Sequence, residues 1–191
     1  MNLRMADAHD LAAAADTLAL AFEHYSWTRH VIPEDGYAER LRALQLLYLE
    51  YAHGHGIVAV IGDCDGVIAL LPPSAPEPAP ELVEQIVALH GDRIDRLDHS
   101  EPPVDAWRLE TIGVRPGCQG RGRASALLVF ALREVTRRGG DRIVLDTSDP
   151  RNVRLYERHG FRVTGHTDIA DGLTVWKMST FTETSAATLE R

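Results

Sequence analysis

Hydrophobic and polar positions alternate most clearly in the second half of the chain. From Ala124, apolar residues recur at Leu127, Leu128, Ala131, Leu132 and Val135, the stripe of an amphipathic helix, and Gly139-Gly140 stops it. Short apolar runs with strand character flank this helix, over 107–114 before it and 142–147 after it. Asp149 and Pro150 have the residue types of an N-cap and a first helical position, and Gly160 ends that second helix before a strand over 161–164. Asp171-Gly172 turns the chain into a last strand over 173–178. Strand, loop, helix and strand at this spacing predict a parallel βαβ unit with antiparallel strands on either side.

The first half is less regular. A short strand over 2–5 is followed by a helix with Asp7 as N-cap and Leu11, Ala14, Ala15, Leu18 and Phe22 on one face. A second helix over 37–51 has Leu41, Leu44, Leu47, Tyr48 and Tyr51 as its apolar stripe. The apolar runs 57–61 and 67–71 flank Gly62-Asp63-Cys64-Asp65-Gly66 and read as a β-hairpin. The Pro-rich run 71–80 is a semi-rigid surface connection, leading to a short helix over 81–89 and an acidic loop to Glu101. Neither side of that connection has a complete set of strands, so residues 1–180 are expected to form one domain, with a polar tail over 181–191.

Composition narrows the class. At 191 residues and 45% hydrophobic, the chain can bury a full core without disulfide or metal staples. Two cysteines make no disulfide framework, no apolar run reaches membrane-spanning length, and the start MNLRMADAHD lacks the apolar stretch of a secretory signal. A cytoplasmic protein is expected. The net charge of −8 argues against nucleic acid as a partner, yet it is unevenly spread. Residues 1–100 hold 6 Arg against 16 acids, whereas residues 101–162 hold 12 Arg against 8 acids. A basic segment in an acidic chain points to a local anion site.

That segment contains Val114-Arg-Pro-Gly-Cys-Gln-Gly-Arg-Gly-Arg-Ala124, where a strand ends, glycines remove side chains and a helix begins. Such a junction aims free backbone N–H groups and the positive end of a helix dipole at one point. Gly120 and Gly122 let a phosphate approach the backbone, and Arg121 and Arg123 add charge at the rim, so a phosphate or pyrophosphate ligand is expected. A Walker loop is excluded, since no Gly-Lys-Ser/Thr occurs. A dinucleotide fingerprint fits only in part, because Ser125 replaces its third glycine and no second mononucleotide-binding half follows.

The same run resembles the acetyl-CoA pyrophosphate loop of the GNAT (GCN5-related) N-acetyltransferase superfamily, with Gln119, Gly122 and Ala124 on the fixed places of Q/R-x-x-G-x-G/A. Asn152, Tyr156, Gly160 and Phe161 fit a second family signature, N-x-x-x-x-Y-x-x-x-G-F. The Trp27 region and Leu109-Glu-Thr-Ile-Gly-Val114 resemble, more loosely, the puromycin-acetyltransferase-like branch. The resemblance implies a GNAT-type α/β (α+β) fold: a mixed, mostly antiparallel sheet with a central parallel βαβ unit and helices on both faces. It implies acetyl-CoA as acetyl donor, with Ile112, Gly113 and Val114 pairing the pantetheine arm and the backbone of Gln119, Gly120, Arg121, Gly122, Arg123 and Ala124 on the pyrophosphate. Asn152 would approach the arm and Tyr156 would protonate the departing thiolate.

The implied reaction is direct acetyl transfer to a small-molecule primary amine, for which Glu110 is the candidate base. Its weakness is period two, which puts Glu110 on one face with Ile112 and Val114. The alternatives are a non-catalytic acyl-CoA-binding module and a nucleotide-dependent oxidoreductase. Dimers are common in the family, so a homodimer is the protein partner it implies. No metal is expected. His53-Gly54-His55 has no third ligand at characteristic spacing and reads as a surface loop. Trp27 is a candidate wall of the acceptor pocket.

Overall fold

The computed structural model describes residues 2–97, 103–169 and 172–181. In chain order the elements are β1 (Leu3–Met5), α1 (Leu11–Phe22), α2 (Ser26–Val31), α3 (Tyr37–His55), β2 (Ile57–Ile61), β3 (Gly66–Leu71), α4 (Pro80–His90), β4 (Trp107–Val114), α5 (Arg123–Arg137), β5 (Arg142–Thr147), α6 (Pro150–Glu157), β6 (Arg162–Ile169) and β7 (Leu173–Phe181). The strands form one seven-stranded sheet in the order β1-β2-β3-β4-β5-β7-β6. Only β4 and β5 run parallel, as the βαβ pattern requires.

Helices cover both faces of β2 and β3, so these two strands are apolar throughout. Every residue of β2 and β3 is buried. On one face Ile57, Ile68, Leu109, Ile143 and Leu145 pack against Leu127, Leu128, Ala131 and Val135 of α5, whose stripe is the one the sequence shows. Burying a side chain of that size is worth about 1.5–3 kcal/mol. On the other face Val58, Val60, Val67 and Ala69 meet Leu11, Ala14, Ala15 and Leu18 of α1 and Leu49 and Ala52 of α3. Gly113 lets α1 lie this close, since a Cβ there would stand 2.7 Å from Leu18.

Several expected boundaries move. The regular part of α1 begins at Leu11, one turn after Asp7, but Asp7 still caps the entry: its carboxylate accepts from His9 N at 2.8 Å, and its own N–H donates to the Asp10 carboxylate, which the Arg4 guanidinium holds at a pKa of about 2. The segment Ser26–Val31 is helical, which its mixed polarity hides. Helix α3 runs on to His55, so His53-Gly54-His55 ends a helix rather than forming a loop. The acidic stretch after α4 opens with a 3₁₀ turn over Gly91–Arg96. Strand β6 extends to Ile169 and β7 to Phe181. As the sheet's last strand β6 is largely exposed along its length, and it lacks the alternation that would announce it. Asp171 and the tail beyond Phe181 lie outside the described residues. No helix is long and apolar enough to cross a membrane among them.

Candidate active site

The loop between β4 and α5 takes the shape its glycines allow. A 3₁₀ turn over Pro116–Cys118 leads to Gly120 at φ 73° and Gly122 at φ 74°, both in the left-handed region that favours glycine. A Cβ at either position would meet no protein atom within 4 Å, so the space above both is open. Gly122 is the N-cap of α5 and offers no capping side chain, which leaves the first N–H groups of that helix for a ligand. Gln119 folds back, its Nε2 donating to Val114 O at 3.0 Å, and so ties the loop to the end of β4.

The loop opens onto a gap in the sheet. Ladder partners join β4 and β5 only at Trp107–Ile143 and Arg108–Val144, and from Leu109 onward the two strands splay. The resulting cleft, about 400 Å³, is lined by Ile112–Val114, Gln119, Gly120, Gly122–Ala124 and Asn152, all named from the sequence. It is also lined by Ser125, Leu155 and Arg158, which neither signature marks as site residues. Leu155 and Arg158 follow Asn152 at three-residue steps, so helical spacing would have found them.

The cationic rim differs from expectation. Arg123 does not stand free: its Nη2 pairs with Asp65 at 3.1 Å and its Nη1 donates to Cys118 O at 3.2 Å. Arg115 is likewise tied inward, donating to Thr17 Oγ1 at 3.0 Å. Arg121 is exposed and outside the cleft lining. Arg158, at the end of α6, is the other arginine in the cleft wall.

Glu110 and Tyr156 lie outside the cleft lining, and they differ in exposure. In the β3–β4 register Ala69 faces Thr111 while Leu70 faces Leu109, so Glu110 is the extra residue of a β-bulge. The bulge resets the alternation. Leu109 and Ile112 both pack towards α5, so period two no longer ties Glu110 to the face of Ile112, and the charge of Glu110 acts on Tyr48 and Tyr51 of α3. Although a quarter of its side chain is accessible, Glu110 is flanked by protein, and burial pushes its carboxyl up. The paired Arg108 opposes that shift and Asp146 on β5 reinforces it. Tyr156 is buried at 4% exposure with its ring centroid 5.6 Å from that of Phe161, and burial raises its phenol well above the ordinary value.

A network unmarked in the sequence closes the end of β5. Tyr25, between α1 and α2, brings its hydroxyl 3.0 Å from Thr147 Oγ1 and accepts from Ser148 N at 2.7 Å. Asn152 Nδ2 donates to the same Thr147 Oγ1 at 3.4 Å. Behind Glu110, Tyr48 is pushed up to about 12 by burial and by Glu110 itself. Its hydroxyl lies 3.4 Å from Nε2 of the buried His90, whose Nδ1 is 2.7 Å from Val31 O. Trp27 stacks obliquely near His30, with ring centroids 5.9 Å apart, and packs on the cluster around Val31 and Leu41 rather than lining the cleft. No group of three or more metal-competent side chains occurs among the described residues, and His53 and His55 gain no third ligand.

Comparison with known proteins agrees with this geometry. The family model "Acetyltransferase (GNAT) family" matches residues 22–161. Among solved structures, histone acetyltransferase HPA2 and related acetyltransferase from Corynebacterium glutamicum is 26% identical, covers 94% of each chain and superposes with a TM-score of 0.74. The yncA protein from Salmonella typhimurium, whose structure holds its cofactor acetyl-CoA, is 19% identical over 96% of this chain and 94% of its own, with a TM-score of 0.58. The ribosomal-protein-S18-alanine N-acetyltransferase from Escherichia coli is 17% identical over 95% and 93%, at 0.55. The puromycin-acetyltransferase-like branch is a finer level that these matches do not reach. The family match sets the oxidoreductase and non-catalytic alternatives aside. A cleft at the parallel strand pair, floored by an uncapped helix N-terminus, thus belongs to an N-acetyltransferase of the GNAT family that takes acetyl-CoA as its donor.

Proposed function

We propose that the chain moves the acetyl group of acetyl-CoA directly onto the primary amine of a small molecule. The observation that carries this reading is the meeting of the two signature segments in one cleft, where the splayed edge of β4 runs into the loop of Gly120 and Gly122. The backbone N–H groups of residues 119–124 and the N-terminus of α5 hold the diphosphate, with Arg158 and Arg121 adding charge. The edge Ile112–Val114, left without a ladder to β5, pairs with the amides of the pantetheine arm, and Asn152 approaches the arm from α6.

Glu110 takes the proton of the ammonium, directly or through water, so that the neutral nitrogen attacks the thioester carbonyl. Its raised pKa brings it nearer to neutrality, where a general base is most effective. As the new C–N bond forms and the C–S bond breaks, Tyr156 gives its proton to the departing sulfur, and the proton that the new amide nitrogen sheds returns to Tyr156 through water, so the phenol is restored. Burial raises this phenol, which favours the protonated form that a proton donor needs. The bridge from Tyr25 to Thr147 and Ser148 closes the acceptor side over the end of β5, which favours a compact amine over a polypeptide laid across the sheet.

Thiol release from acetyl-CoA, followed across small amines and peptide N-termini, tests the reading. Small amines are expected to turn over, and Tyr156→Phe to lower kcat by about 100-fold with little change in the amine KM. Turnover confined to peptides would remove the small-molecule reading, and an unaltered kcat in Tyr156→Phe would remove the assigned acid.

A further inference from the structure

The loop of residues 115–123 is held at both ends by one residue of a distant turn. Gly62-Asp63-Cys64-Asp65 connects β2 to β3, with Gly62 and Cys64 both at positive φ. Asp65 at its end makes two contacts with the loop. Its backbone carbonyl accepts from Arg115 N at 2.8 Å, where the chain leaves β4. Its carboxylate pairs with Arg123 Nη2 at 3.1 Å, where α5 begins, in a pair with side-chain exposures of only 28% and 16%. The turn reaches the loop a third time, since Thr17 Oγ1 donates to Cys64 O at 2.6 Å and accepts from Arg115 Nη2.

We propose that Asp65 is a positioning residue for the acetyl donor: it fixes Arg123, and with it the loop glycines and the start of α5, in the conformation that receives the diphosphate. The inference rests on the cofactor site proposed above. An aspartate here is otherwise paradoxical, because a carboxylate beside a diphosphate site repels the ligand and consumes the charge of an arginine in the cleft wall. Holding a glycine-rich loop in one conformation offsets that cost. Gly120 and Gly122 leave the free loop many alternatives, and a ligand bound by backbone N–H groups loses affinity in proportion to the population of wrong ones. Arg123 is thereby spent on geometry, with a second N–H turned to Cys118 O inside the loop, and Arg158 remains in the cleft wall as charge for the ligand.

The two roles open to a carboxylate in this place have opposite signs. If Asp65 only screens Arg123, Asp65→Asn frees positive charge and tightens acetyl-CoA. If Asp65 holds the loop, the same substitution raises the Kd and KM for acetyl-CoA, by about 10-fold for a part-buried charged pair, and leaves the amine KM unchanged. The acetyl thioester of pantetheine, which lacks the diphosphate, separates this from general damage: kcat/KM with that donor should be equal in wild type and Asp65→Asn. A double-mutant cycle gives a second reading, because the effect of Asp65→Asn should vanish in an Arg123→Gln background. Tighter acetyl-CoA binding, an equal loss with both donors, or an undiminished effect without Arg123 would each overturn the proposal. Wild-type protein that fails to bind acetyl-CoA would remove the functional reading itself, whereas equal binding by wild type and Asp65→Asn removes only the clamp.

Discussion

The two ends of the cleft are built from different materials. Towards the donor, the site consists of backbone: a strand edge without a partner, two glycines at positive φ and a helix start without a capping side chain. Towards the acceptor it consists of side chains from elements far apart in sequence, with Tyr25 reaching Thr147 and Ser148, and Tyr48 meeting His90 behind Glu110. A backbone site must be encoded by a contiguous run with fixed glycines. A side-chain site only needs each contributing element to present one suitable residue, so it leaves no run to recognise.

The sharpest way to break the donor half is to put one methyl group into it. Gly122→Ala keeps the chain foldable, since the new Cβ meets nothing within 4 Å, and left-handed strain costs about 1–2 kcal/mol. That methyl group enters the space proposed for the diphosphate, and a loop forced out of the left-handed region re-aims its N–H groups. The expected result is a KM for acetyl-CoA raised by about 100-fold or more with only a modest loss of Tm. A normal KM in a folded Gly122→Ala protein would mean that the diphosphate lies elsewhere.

Glu110→Gln acts on the acceptor half and should move activity and stability in opposite directions. With the carboxyl gone, kcat is expected to fall by about 10–100-fold, and the rise of rate with pH through the Glu110 pKa should disappear from the profile. The stability sign follows from linkage. A carboxyl whose pKa is raised on folding binds its proton more tightly in the folded state, so its contribution is fully present below the unfolded pKa and is lost as pH rises through the folded one. The uncharged glutamine avoids that loss. Glu110→Gln should therefore melt at or above the wild-type temperature at pH 7, with the gain shrinking towards pH 4.5, and thermal melts across that range check it.

How much was legible follows the same division. The amphipathic stripe of α5 and the run from Val114 to Ala124 gave the parallel strand pair, the loop and most of the cleft lining, because periodicity and glycine placement are local. The bulge at Glu110 was not legible, since it arises from the offset of β3 against β4 and not from β4 alone. Arg123 looked like a rim charge because the sequence does not show that the β2–β3 turn brings Asp65 beside it. Helix α2 was missed for a related reason: its six residues are fixed by what they pack on. Only Thr28 and Val31 are buried within it, and Thr28 Oγ1 receives Tyr37 at 2.9 Å while donating to backbone carbonyls before the helix.

The mildest test asks whether the acceptor half responds to pH as a unit. His90 joins the end of α4 to α2: Val31 O can only accept, so Nδ1 carries the proton and Nε2 is left to accept from Tyr48. Burial lowers the pKa of this imidazole, which means that its stabilising effect is present above the unfolded value near 6.5 and is lost as pH falls below it. His159, lowered by burial and by Arg158, drifts the same way at the end of α6, so a melt of the whole protein mixes the two. Local amide exchange separates them. Between pH 7 and pH 5.5, protection in α4 should fall more than protection in α5, after correction for intrinsic exchange. In His90→Gln that difference should shrink, at a cost near pH 7 of about 1 kcal/mol for one weakened hydrogen bond. Equal loss of protection in α4 and α5 would show that the two halves of the cleft open together, and the contrast between a backbone-built donor site and a side-chain-built acceptor site would then end at composition, without a counterpart in stability.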